Sequence, residues 1–240
     1  MKKTKHLKAL TLTIFLVVCA GYLLWGKFSF VIGTHFFGKT PYLYNVNLAN
    51  FFFKQSAYPI LGKPVPYAHY QLSRTYFIKG DLSLALVEAK KELDVFPENT
   101  RTYYIIGLTY AYLNMEEQAI AAFQTFIEWK PESWAARNDK AWLLFRIGDI
   151  DGGLETISPV AYLVDNPWVQ NTYGVLLMNK GRYSEAKTAF DNAYTAAEKL
   201  TEEERGKVYP GNDPRVYGMG LEAMRTNIQN NSTFLEKKIR

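Results

Sequence analysis

The chain has a single thiol. Cys19 lies in the most hydrophobic stretch, so no intramolecular disulfide forms and cysteine usage says nothing about redox compartment. With no thiol elsewhere, cysteine catalysis is excluded from the rest of the chain. Histidine is scarce too: His6 precedes the apolar N-terminal stretch, His35 follows it, and only His69 falls in the body. His69 sits on a predicted helix beside tyrosines, without the partners a general base needs, and reads as a core or groove residue. No Cys/His spacing suits a metal. Neither GxxxxGK[ST] nor GxGxxG occurs, and Gly218-Met219-Gly220 follows nothing that reads as a strand. Acid is missing from the first third: residues 1–80 hold ten Lys and Arg and no Asp or Glu, whereas residues 81–240 hold 18 basic and 23 acidic residues. A nucleic-acid binder is not charged this way; a basic membrane-proximal end on a mildly acidic body is. The expectation is a non-enzyme with no cofactor, no metal, no nucleic acid and no small-molecule substrate.

What is present belongs to a folded protein. Of 240 residues, 48% are apolar and 21% charged, and aromatics reach 15%, which suits a packed helical array or a sticky groove. Residues 1–8, MKKTKHLK, form a basic tail, and Ala9–Gly26 carries no charge over eighteen residues, the length of a membrane-spanning helix. Lys27 can snorkel, which lets the span run over 9–31. Three readings compete: an uncleaved signal anchor, a signal peptide cleaved after Val18-Cys19-Ala20, and a lipoprotein at Leu16-Val17-Val18-Cys19. The signal anchor is preferred, because cleavage would leave GYLLWGKFSFVIG on the mature end and Val18 stands where a lipobox has a small residue. Four lysines before the span keep the N-terminus cytoplasmic and send the body across, by the positive-inside rule.

The stretch TRTYYIIGLTYAYLNMEEQAIAAFQTFIEWKP (100–131) is apolar in helical rhythm and recurs about every 34 residues. Gly107, Tyr110, Ala119, Phe123, Phe126 and Pro131 mark it; Ser73, Tyr76, Ala85, Ala89, Glu92 and Pro97 stand 34 residues earlier, with Gly80 at the turn. Gly174, Leu177, Gly181, Tyr183, Ala186, Phe190 and Ala193 form a later copy, and Ala141, Leu144, Gly148, Gly153 and Ile157 a degraded one between. Small residues at fixed places let two helices approach closely, and the large ones fill the space between pairs. One pair cannot bury its face alone, so pairs stack. This pattern resembles the tetratricopeptide repeat over 66–99, 100–133, 134–166 and 167–200, together 66–200. Unit three carries Lys140 and Gly153 where that family prefers a large apolar residue and alanine.

The fold expected is all-α: a helical-hairpin solenoid of the tetratricopeptide type behind one N-terminal transmembrane helix. Residues 32–65 are a membrane-proximal segment with a capping helix at about 41–58, presenting Leu48, Ala49, Phe52 and Phe53 on one face. Residues 201–240 form C-terminal capping helices, opened by a capping box at Thr201–Glu204, with the turn cluster YPGNDP at 209–214. Glu202–Glu204 reads as a solvated helix start. Asn230-Asn231-Ser232-Thr233 holds two overlapping glycosylation acceptors, relevant only on a eukaryotic secretory route.

The resemblance implies a concave groove lined by the first helix of each unit. Five positions per helix carry over: Tyr67, Tyr70, Arg74, Phe77 and Ile78; Arg101, Tyr104, Leu108, Ala111 and Tyr112; Ala135, Asn138, Trp142, Phe145 and Arg146; Trp168, Asn171, Val175, Met178 and Asn179. That set is rich in aromatics, holds three arginines and no acid, and has the composition of binding hot spots. The arginines are expected to be exposed. Asn138 and Asn171 share a repeat position and suit a peptide backbone. The carboxylate clamp of chaperone-binding relatives is absent, since Tyr70, Arg74 and Ile105 occupy its first three positions. The expected function is a membrane-anchored scaffold or adaptor with a protein or peptide partner in its groove, facing outward from a bacterial plasma membrane and serving assembly of a cell-envelope complex. The alternatives are an import or targeting receptor with cytosolic repeats, and an accessory that docks a separate enzyme.

Overall fold

Four times among the described residues a helix ends in a left-handed residue about one repeat apart: Gly80 (φ 80°), Asn114 (φ 54°), Gly148 (φ 86°) and Gly181 (φ 78°). Each closes the same turn. The N–H after the left-handed residue donates back across six residues, as Asp81 to Tyr76 O, Met115 to Tyr110 O, Asp149 to Leu144 O and Arg182 to Leu177 O, all at 2.9–3.0 Å. This is the Schellman motif, which satisfies carbonyls that the helix end leaves free. Asparagine at 114 tolerates the left-handed conformation at low cost, which is why the second hairpin turns without glycine.

The computed structural model describes residues 2–38, 43–207 and 220–239. Among them every regular element is helical, and the chain divides after Asn99 into two units. The first unit holds α1 (Lys2–Phe36), α2 (Val46–Ala57), α3 (Ala68–Ile78) and α4 (Leu82–Val95). Helix α1 packs on α2, α2 on α3, and α3 on α4. Gly26, Ser29 and Gly33 give α1 one small-residue face. A Cβ on Gly33 would lie 2.8 Å from the Phe53 ring, so only glycine lets α2 seat there. Asn45 caps α2 by accepting from the backbone of Asn47 and Leu48. Ala49 and Phe53 are fully buried, Phe52 stacks on Phe36 at 6.0 Å, and Leu48 stays exposed. Helix α1 runs as one piece past Val31, and its last turns belong to the folded body rather than to a free tether.

The second unit holds α5 (Thr102–Tyr112), α6 (Glu116–Trp129), α7 (Trp134–Arg146), α8 (Ile150–Ile157) with a 3₁₀ turn at Ser158–Val160, α9 (Pro167–Asn179), α10 (Tyr183–Lys199), α11 (Glu202–Lys207) and α12 (Leu221–Ile239). Glycine lies under phenylalanine in two hairpins: a Cβ on Gly107 would lie 2.8 Å from Phe123, and one on Gly174 2.6 Å from Phe190. Unit three packs through its departures from the pattern. Gly153 makes room for Leu176 from α9, and Lys140 donates to Gln124 Oε1 at 2.5 Å. The Thr201–Glu204 box forms: Thr201 N donates to Glu204 Oε2 and Glu204 N to Thr201 Oγ1. Arg225 on α12 donates to the carbonyls of Ala197 and Glu198 at the end of α10, as a cation at a helix C-terminus should. Ile228 and Met224 pack α12 on Ala193 and Ala197. The turn cluster 209–214 lies outside the described residues.

Candidate partner-binding cleft

In the first unit the carried-over residues pack more than they project. The Arg74 guanidinium lies over Phe37 at 4.8 Å and over Tyr70 at 5.8 Å, and donates to Gln71 at 2.9 Å. Its exposure, expected from its charge, is largely cancelled by these rings. Phe77 and Ile78 are half-buried, and Tyr67 is exposed in a left-handed conformation at the start of α3. His69 is buried against Glu88, its Nδ1 2.6 Å from Oε2, while Tyr58 OH donates to Oε1 at 2.6 Å and Lys91 lies 3.2 Å away. Burial alone would raise the Glu88 carboxyl, but the hydrogen bonds from His69, Tyr58 and Lys91 outweigh it and hold it below its usual range.

The second unit assembles a site. A cleft of about 510 Å³ is lined by Asn138, Asp139 and Trp142 of α7, Pro167, Trp168, Asn171 and Thr172 of α9, and Met224, Asn227, Asn230 and Asn231 of α12. That volume is in the range of ligand-binding clefts. Four carried-over residues meet here: Asn138, Trp142, Trp168 and Asn171. Trp142 is exposed and tilts against Phe145 at 5.1 Å; Trp168 lies 5.8 Å from Trp134. Asn171 accepts from Asn231 Nδ2 at 3.0 Å, so α12 closes one wall of the cleft.

Others are elsewhere. Leu108, Val175 and Met178 are core, Ala111 and Ala135 are half-buried, and Asn179 is exposed and donates to Val175 O. Arg101 and Tyr112 are exposed beyond the cleft. Arg146 pairs with Glu116 at 2.7 Å. Tyr104 is buried under Phe123 and Phe126, and reaches the site only through its hydroxyl.

That hydroxyl donates to Asp139 Oδ2 at 2.6 Å, and Asn138 Nδ2 donates to Oδ1 at 3.3 Å. The acid-free lining expected from the sequence is therefore corrected: Asp139, one residue beyond a carried-over position, sits in the floor. Desolvation pushes its carboxyl up to about 6, against the lowering pull of Tyr104 and Asn138. The signal present in the sequence was an acid next to Asn138 in the first helix of unit three. The α12 asparagines were legible only as glycosylation acceptors, because the docking of α12 is a tertiary event.

A folded pKa above the unfolded one means that Asp139 favours folding fully below its unfolded value of 3.8, and that this contribution is lost as pH rises through about 6. Asp139→Asn should therefore stabilise the second unit by about 1–2 kcal/mol at pH 7–8. Thermal melts of both chains between about pH 4 and pH 8 should diverge as pH rises; a constant difference would count against the assignment.

Comparison with known proteins adds the decisive observation. The family profile described as tetratricopeptide repeat matches residues 100–133 and 169–200, which cover α5–α6 and most of α9–α10. Those two stretches are tetratricopeptide repeats. The fold of the chain is shared by the crystal structure of TTC0263, a thermophilic tetratricopeptide-repeat protein in Thermus thermophilus, at TM-score 0.56 and 17% identity, covering 86% of this chain and 98% of that one. It is shared as well by a structure titled MamA RS-1 ArsTM double mutant, at TM-score 0.63 and 16% identity over 72% and 94% of the two chains. In sequence the chain is similar to the BBSome complex member BBS4 of Bos taurus, 26% identical over 123 residues, 51% of this chain. It spans about a quarter of that relative's length, 24%. Tetratricopeptide repeats make protein–protein interaction scaffolds, and proteins built from them are in general non-catalytic.

Proposed function

We propose that this protein is a membrane-anchored tetratricopeptide-repeat scaffold that holds a segment of a protein partner in the cleft of its second unit. The observation that carries this is the cleft itself: two indoles and a set of polar side chains converge from three helices around an open volume of about 510 Å³. Aromatic walls with a few placed polar groups are what peptide and ligand sites use. The anchor is α1. Among the described residues it is long and apolar enough to cross a membrane by length and composition, over Thr11–Phe36. Leu12, Phe15, Leu16, Val17, Leu23 and Leu24 are exposed along it, an apolar surface suited to lipid. The lysines ahead of the span favour a cytoplasmic N-terminus and a body on the extracytoplasmic side, most simply of a bacterial plasma membrane, where the partner would belong to a cell-envelope complex.

The test is a photo-reactive residue placed at Trp142 in the full-length chain, compared with one at Lys187 on the exposed face of α10, in cells and in spheroplasts treated with protease. Discrete adducts from position 142 alone, on a body digested from outside, are the expected result. The same adducts from both positions would refute the cleft as the binding surface. A body protected in sealed spheroplasts would reverse the topology and favour a receptor with cytosolic repeats.

A further inference from the structure

The cleft of the second unit is polar in one sense. Asn138 and Asp139 line it side by side, and Asn138 Oδ1 is a buried carbonyl oxygen with no hydrogen-bond donor. A buried oxygen without a donor is uncommon, because its desolvation goes uncompensated. Asp139 accepts from Tyr104 at one oxygen and more distantly from Asn138 at the other, where a carboxylate has room for about four donors. Among the described residues lining the cleft there is no lysine, arginine or histidine; the remaining polar groups are Thr172 and the neutral amides of Asn171, Asn227, Asn230 and Asn231. The walls are the indoles of Trp142 and Trp168, whose faces attract cations and whose edges pack against alkyl stems.

We infer that the segment held in this cleft presents a lysine or arginine side chain, its charged head received by Asp139 and Asn138 and its stem lying along Trp142 and Trp168. The inference rests on the partner-holding reading above and specifies what is held. An anion would meet the Asp139 carboxylate with no lining cation to offset it. A purely apolar anchor would seal the carboxylate and the unpaired amide oxygen away from water with nothing to donate to them. A basic side chain meets every group present: it supplies several donors, neutralises the one charge, and has an apolar stem for the indoles.

The experiment is selection of a random peptide library on the full-length chain in detergent, with the Trp142→Ala chain as counter-selection. Calorimetry of the synthetic winners follows, each made with its basic residue and with an uncharged replacement, norleucine for lysine or citrulline for arginine. The winners should share one lysine or arginine, and the uncharged replacement should bind about thirtyfold more weakly, the scale for a buried, hydrogen-bonded charge pair losing one partner. On the Asp139→Asn chain the two forms should bind equally. Winners that need Trp142 yet show no basic residue, or that keep their preference on Asp139→Asn, would overturn this inference and leave the partner-holding reading intact. No winner above the Trp142→Ala background would overturn both. The comparison of lysine with norleucine on the unaltered chain does not depend on any variant folding.

Discussion

Replacing Glu92 by alanine should cost the first unit about 3–5 kcal/mol, a large share of the stability of a unit this size. Glu92 is fully buried on α4, at a position occupied one repeat later by Phe126. Its carboxylate reaches the start of α3, where the backbone N–H of Tyr67 donates to Oε1 at 2.8 Å and that of Tyr70 to Oε2 at 3.1 Å. Asn99 Nδ2 donates to Oε1 as well, at 2.9 Å. The side chain thus serves as the N-terminal cap of a neighbouring helix, where Tyr67 itself supplies no side-chain cap. Removing it leaves three donors without an acceptor, each worth about 1–3 kcal/mol when buried. Glu92→Gln keeps one oxygen for Tyr67 and Asn99 but turns its amide toward the Tyr70 N–H, and should cost about half as much. Thermal melts in detergent should drop by roughly 15–25 °C for the alanine variant. A melt within a degree or two of the parent would show that water replaces the carboxylate and that the cap is not structural.

The second large effect is at the glycine–phenylalanine contact of the last hairpin. Phe190 is 1% exposed, and its ring lies where a Cβ on Gly174 would stand, 2.6–3.1 Å away. Phe190→Ala should cost about 3–5 kcal/mol through lost burial and a residual cavity. Gly174→Ala gains about 1 kcal/mol of helix propensity. Overpacking against a ring that cannot move costs about 1–3 kcal/mol, so the net effect should be destabilising. The double variant decides whether the contact is the cause. If the alanine methyl occupies the space the ring vacates, the two losses should fall short of additivity by about 1 kcal/mol or more in chemical denaturation. Additivity would mean that glycine is there for some other reason than the ring.

Glu92 also marks where reading from the sequence reached its limit. Its repeat position was visible, but nothing in the spacing says what a polar residue does where the next repeat has Phe126. Its purpose depends on the α3 N-terminus lying opposite, which is a contact between residues 22–25 positions apart. Gly153 and Lys140 are similar: departures from the repeat on paper, and fitted contacts with Leu176 and Gln124 in the fold. Asn114 escaped notice because asparagine does the work of the turn glycine without resembling it.

The candidate site divides the same way. Asn138, Trp142, Trp168 and Asn171 were legible because repeat position alone places them on one face of consecutive first helices. Arg74 was misjudged because charge implies exposure only when no ring is at hand to cover the guanidinium, and Phe37 is contributed by the end of α1.

By itself the sequence determined the helical hairpins and their period, the apolar N-terminal helix, and the confinement of the single thiol to that helix. These follow from local rules: apolar spacing, left-handed turn residues, and the length of an uncharged run. Only the tertiary structure decided that α1 ends inside the first unit's core, that Glu92 caps a helix it does not belong to, and that Asp139 and the α12 asparagines complete the cleft. Each of those needs two segments distant in the chain to be adjacent in space. Burial, the term that turns a carboxylate into a cap or raises its pKa, is a property of the packed neighbours and is not written in the residue or its near sequence.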